Sequence, residues 1–172
     1  PPLSSNIAEP GLPVSPLQLA HPDGIAFVDF PWIHDRFVHR VRIDKLEMET
    51  FAELESPPWP QSPPMQLLSI ESIDGRNVAL GVGCAGTRHW SLSVEPVDNG
   101  FRFDWACKTK QTPERLATSY EATQGLDVVA DPVSSEALTD LNGNPSMTRI
   151  IPAETLSGPG TYRWRYDIVR ST

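Results

Sequence analysis

The chain is 172 residues long, enough for one domain with a sizeable core and too short for two comfortable ones. Its 14 Lys+Arg against 22 Asp+Glu give a formal net charge of -8, a field that repels polyanions, so neither nucleic acid nor a membrane surface is expected as a partner. No apolar run approaches the ~18 residues a membrane-spanning helix requires.

The sequence opens Pro1-Pro2-Leu3 without Met, so a trimmed start is expected. Residues 1–24 carry Pro1, Pro2, Pro10, Pro13, Pro16 and Pro22 with Gly11 and Gly24, a spacing that interrupts helices and removes the donors a sheet needs. Ile7, Leu12, Val14, Leu17 and Leu19 are scattered through this stretch, which predicts an extended arm lying on the domain or on a neighbour. The remainder, 25–172, is expected to form a single antiparallel β domain.

Residues 25–30 predict a strand ended by Pro31, followed by a turn around His34-Asp35 and a second run over 37–48. Two readings compete over 44–54. Leu46 and Met48 alternate with Lys45, Glu47 and Glu49 as in a strand, whereas Ile43, Leu46, Thr50 and Leu54 sit at near-helical spacing. The Pro-rich run at 56–64 ends either structure and is expected to be a rigid, polyproline-like connection. Its P-x-x-P at Pro60 and Pro63 could dock in a partner's groove, but the favoured reading lays it over the domain with Trp59 as anchor.

From residue 66 the pattern becomes regular. Strands are predicted at 67–73, 77–84, 89–94, 101–108, 116–122, 126–130, 147–151 and 162–169, divided by turn signals such as Asp74-Gly75 and Asp98-Asn99-Gly100. A short helix is predicted over 134–141, capped by Ser134 or Ser135 and stopped at Asn142-Gly143. One hairpin can be given a register: Val94 opposite Phe103, Leu92 opposite Trp105, and Glu95 opposite Arg102. Extending it to the preceding strand puts Cys84, Trp90 and Cys107 in one row. The two thiols would then be roughly 9.5 Å apart and beyond bridging reach. Two buried free thiols are therefore predicted, pointing to a reducing compartment such as the cytoplasm.

Motifs with chemical content are few. Gly81-Val82-Gly83-Cys84-Ala85-Gly86 matches G-x-G-x-x-G, yet the residues after it alternate as a strand, where a dinucleotide site needs a helix. Its glycines are expected to admit close packing and a turn. His34, Asp35 and His39 are metal-ligand types at a spacing that shares no face of strand or helix, so turn and surface histidines are expected. Glu47, Glu49, Glu53 and Glu55 follow Arg36, Arg40, Arg42 and Lys45, an arrangement that reads as a salt-bridged surface. No G-x-S-x-G, H-E-x-x-H or P-loop is present, and no cofactor is expected.

Aromatic placement is the most informative feature. Tyr162, Trp164 and Tyr166 share one face of the last strand while Arg163 and Arg165 share the other, repeating the alternation of Phe101, Phe103 and Trp105. The predicted fold is mainly β, an antiparallel calycin-like barrel or a two-sheet sandwich of about 8–10 strands, with an extended Pro-rich arm and one or two short helices. The leading functional expectation is a noncatalytic protein that binds a small apolar or aromatic ligand in a barrel or inter-sheet pocket. Trp90, Phe103, Trp105, Tyr162, Trp164 and Tyr166 would line it, with Arg163 or Arg165 meeting an anionic group at its mouth. The alternative is an interaction module whose arm packs on an identical subunit in a homodimer or on another protein, with no small-molecule role. A hydrolase with a dispersed acidic or histidine site is a third reading.

Overall fold

The computed structural model describes residues 5–7, 16–51, 58–141 and 144–172, and every regular element among them is a β-strand. Before the Pro-rich connection come β1 (Ser5–Ile7), β2 (Leu17–Ala20), β3 (Ala26–Phe30), β4 (Trp32–Ile33), β5 (Arg36–Phe37), β6 (Arg40–Ile43) and β7 (Leu46–Glu49). After it come β8 (Leu67–Ile73), β9 (Arg76–Ala85), β10 (Arg88–Val97), β11 (Gly100–Thr109), β12 (Thr118–Glu121), β13 (Leu126–Ala130), β14 (Ser135–Leu141), β15 (Asn144–Pro152) and β16 (Gly160–Arg170).

A seven-stranded sheet runs in the order β1-β8-β9-β10-β11-β16-β13. A four-stranded sheet, β2-β3-β6-β7, and a three-stranded sheet, β12-β15-β14, accompany it, with β4 and β5 as a small ribbon. The pairings are antiparallel, as the alternation and turn signals predict. Among the described residues no sheet closes into a barrel, and β1 and β13 are the two edges of the large sheet. The calycin-like barrel is therefore not shown among the described residues, while the packing of several antiparallel sheets is compatible with a sandwich.

The hairpin register is as predicted, with Val94↔Phe103, Leu92↔Trp105 and Glu95↔Arg102. Asp98-Asn99 makes its turn, with Asn99 at φ 64°. Asp74 and Gly75, at φ 50° and 75°, supply the two left-handed residues of the tight β8–β9 turn. The neighbouring register differs from expectation by one residue. Trp90 lies opposite Gly83, and Cys84 lies opposite His89. Because side chains alternate, that single step turns Cys84 to the solvent face while Cys107 stays buried; both thiols are free.

The predicted helices are absent among the described residues. Ser135–Leu141 is β14, paired with β15 through contacts such as Ala137↔Ile150, so sheet pairing overrides the local helix signal. Over 44–54 the strand reading holds for β7, followed by an isolated bridge between Thr50 and Tyr120; Glu53, Leu54 and Glu55 lie outside the described residues. Of the predicted arm, β1 pairs with β8 and β2 pairs with β3, within the same chain. Leu12 and Val14 lie outside the described residues.

One apolar cluster joins the sheets. Phe101, Phe103, Trp105, Trp164, Tyr166 and Ile168 from the large sheet pack with Leu19, Val28, Phe30, Val41, Met48, Tyr120 and Ile150 from the smaller ones. Burying each aromatic ring removes on the order of 150–250 Å² from water, which makes this face the main source of stability. The Pro-rich connection is laid along this body: Trp59 is buried, Arg88 sits 4.9 Å over its ring, and the Arg115 guanidinium donates to its carbonyl.

Candidate ligand site on the outer sheet face

The eight residues singled out from the sequence divide between two faces of the large sheet. Trp90, Phe103, Trp105, Tyr162, Trp164 and Tyr166 are each 4% exposed or less and belong to the core cluster. Phe103 stacks on Tyr166 and Trp105 on Trp164, with ring centroids 5.4 and 6.0 Å apart. The hollow beside Trp105, bounded by Phe30, His39 and Leu92, measures about 10 Å³, scarcely room for one water. The structure brings these aromatics together as packed neighbours in the core.

The polar atoms of Trp105, Trp164 and Tyr166 are satisfied within the core. Trp105 Nε1 donates to the Tyr166 hydroxyl at 3.0 Å, the Tyr166 and Tyr120 hydroxyls are 2.7 Å apart, and Tyr120 reaches His39 Nε2 at 2.5 Å. Trp164 Nε1 donates to Thr118 Oγ1 at 3.0 Å. His39 is thus a buried core histidine, contrary to the surface role expected of it, and burial pushes its pKa down to about 3. Burial likewise drives the Tyr120 and Tyr166 phenols upward, so His39, Tyr120 and Tyr166 are all uncharged at neutral pH.

Arg163 and Arg165 occupy the opposite face. Arg165 donates to Asp104, and Arg102 donates two bonds to Asp167 at 2.9 and 3.0 Å, so successive rows of β11 and β16 carry complementary pairs. The alternation stops at the next row, where Arg163 lies opposite Ala106. Arg163 and Lys108 are exposed and have no ion pair or side-chain hydrogen bond among the described residues.

That break opens onto a trough of about 490 Å³, within the usual size of a small-molecule site. Its long axis follows one register row, Leu67–Val82–Ser91–Ala106–Arg163, across five strands from β8 to β16. Small Ser91 and Ala106 leave the depth, while Leu67 and Val82, 41% and 47% exposed, make an apolar end. His89, Lys108 and Thr161, opposite one another in the adjacent row, make a polar end with Arg163. No carboxylate lines the trough among the described residues. Cys84 opens into it, and Trp90 borders it from the core side, so two of the predicted residues, Trp90 and Arg163, belong to its walls.

The G-x-G-x-x-G stretch builds one wall and has no helix after it. A Cβ on Gly83 would lie 1.7 Å from the Pro64 carbonyl oxygen, and one on Gly81 would meet Met65 Sδ at 3.0 Å. The close neighbours are therefore the backbone and side chains of the 64–65 segment rather than an aromatic. Gln66 completes this join, accepting from Cys84 N–H at 2.7 Å and donating to the Cys84 carbonyl.

Other candidates do not assemble. No group of three or more His, Cys, Asp or Glu positioned for a metal occurs among the described residues, and His34 sits in an exposed turn at φ 58°. A second hollow of about 620 Å³ beside Arg40 and Arg42 is internally neutralised by Asp29 and Glu47. No helix among the described residues is long and apolar enough to cross a membrane. No protein-family model matches the chain, and a comparison with curated proteins finds no match.

Proposed function

We propose that this chain is a noncatalytic binding protein for a small apolar or aromatic molecule, of sandwich-like build, and that the ligand lies in the outer-face trough. The reading keeps the ligand class expected from the sequence and moves the seat from between the sheets to the far side of the large one. The observation that carries it is the row of small side chains, Ser91 and Ala106, flanked by exposed Leu67 and Val82 in a hollow of about 490 Å³. Solvated sheet faces normally carry long polar side chains, so exposed aliphatic residues beside a depression favour a ligand.

Native mass spectrometry of freshly purified protein, compared with its denatured mass, tests the reading. Ser91→Trp fills the centre of the trough while leaving the core face untouched. A small mass retained by the native wild type and missing from Ser91→Trp supports the proposal. An identical retained mass in both would place the ligand elsewhere and contradict it.

A further inference from the structure

We propose that the trough selects ligands carrying an anionic head, a carboxylate or sulfonate on an apolar or aromatic body, and that Arg163 and Lys108 read that head. The inference rests on the trough being the ligand seat and adds the chemistry it discriminates.

Three observations carry it. First, charge on the β11–β16 face is otherwise matched: Arg102 with Asp167 and Arg165 with Asp104 are hydrogen-bonded pairs in consecutive rows. Arg163 holds the next position in that series, and its partner position is occupied by Ala106. Second, the two unmatched cations are close. Lys108 faces Thr161, two residues from Arg163 on the same face of β16, so the two side chains are diagonal neighbours whose Cα atoms are separated by roughly 7–8 Å. A carboxylate placed between them can accept from both, and Arg163 alone can grip it with two parallel N–H groups. Third, the chain carries a net charge of -8, yet no Asp or Glu among the described residues lines this hollow. The nearest acid by register, Asp104, is already hydrogen-bonded to Arg165, so two cations with no ion pair of their own among the described residues make a local attractive field for an anion.

The other end sets the shape of the body. Val82 on β9 and Arg163 on β16 are three strand spacings apart, or about 14 Å. A ligand of one or two rings with its charge at one end spans that distance. The apolar part rests on Leu67, Val82 and Ala106, and the charge reaches Lys108 and Arg163.

A matched pair of fluorescent probes tests this on the intact chain. 1-Anilinonaphthalene-8-sulfonate carries the anion, and N-phenyl-1-naphthylamine has the same rings without it. Binding is followed by fluorescence, and occupancy of the trough by protection of the exposed Cys84 thiol from alkylation, with Cys107 buried as an internal control. The expected result is tighter binding of the sulfonate by the wild type, and a roughly five- to tenfold loss of that preference in the Arg163→Gln, Lys108→Gln double variant. The variant replaces exposed side chains and should unfold at the same urea concentration as wild type. Equal affinity for both probes, each protecting Cys84, would overturn the anionic-head inference while leaving an apolar trough site intact. If both probes bind by fluorescence and neither protects Cys84, the trough reading is overturned and this inference with it.

Discussion

The Tyr120 hydroxyl lies 2.5 Å from His39 Nε2 inside the core, at the end of a buried series of hydrogen bonds. Trp105 Nε1 has only a proton to give, so Tyr166 accepts from it, and the Tyr166 and Tyr120 hydroxyls share the next bond, in which either can donate. The imidazole that ends the series is neutral, because burial disfavours its charged form and pushes its pKa down to about 3.

That geometry makes stability depend on pH in a known direction. The folded value, about 3, lies below the ordinary histidine value of about 6.5, so between them the unfolded chain holds a proton that the folded chain lacks. The contribution is whole above pH 6.5 and is lost as pH falls, at about 1.4 kcal/mol per pH unit. Urea unfolding of wild type and His39→Gln at pH 7 and pH 5 should show the stability gap between them shrinking by about 2 kcal/mol at the lower pH. A gap that is constant with pH would mean that His39 is not held neutral.

Gly83 is the least replaceable position of the glycine-rich stretch. An alanine methyl at 1.7 Å from the Pro64 carbonyl oxygen forces backbone to move, so Gly83→Ala should cost the upper end of about 1–3 kcal/mol. Gly158→Ala, with open space around its Cβ, is the control and should be close to neutral. Similar denaturation midpoints for the two variants would refute the close approach.

Trp105 and Trp164 test the division of labour between the two faces. As core residues, each should cost about 3–5 kcal/mol on replacement by alanine. Trp105→Phe keeps most of the ring volume, loses the bond to Tyr166, and should remain folded with its probe affinity within about twofold of wild type. A tenfold fall in affinity at unchanged stability would return the aromatic face to the binding site.

The strand pattern from residue 66 onward was legible because one face of those strands is buried and alternation then reports directly on structure. The β10–β11 register followed from matching the aromatic and charged faces of two adjacent strands, although Arg102 makes its hydrogen bonds to Asp167 on β16 rather than to Glu95. The next hairpin lacked that guidance. Gly81 and Gly83 carry no side chain to mark a face, and the expected pairing slipped by one residue. His39 was unreadable for a different reason: Tyr120, which accounts for it, is 81 residues away. Residues 134–141 resemble a helix locally and become a strand because β15 offers pairing along most of their length. The trough was hidden because its lining comes from five strands around small Ser91 and Ala106, and only the strand order reveals that Ala106 lies opposite Arg163.

The most direct test of the account is amide and indole chemical-shift mapping on 15N-labelled protein titrated with 1-anilinonaphthalene-8-sulfonate. Binding in the trough predicts perturbations centred on Val82, His89, Ser91, Ala106, Lys108 and Arg163, with the Trp105 and Trp164 indole N–H signals unmoved. Shifts centred on those two indoles, with the outer-face amides silent, would contradict it and put the ligand between the sheets.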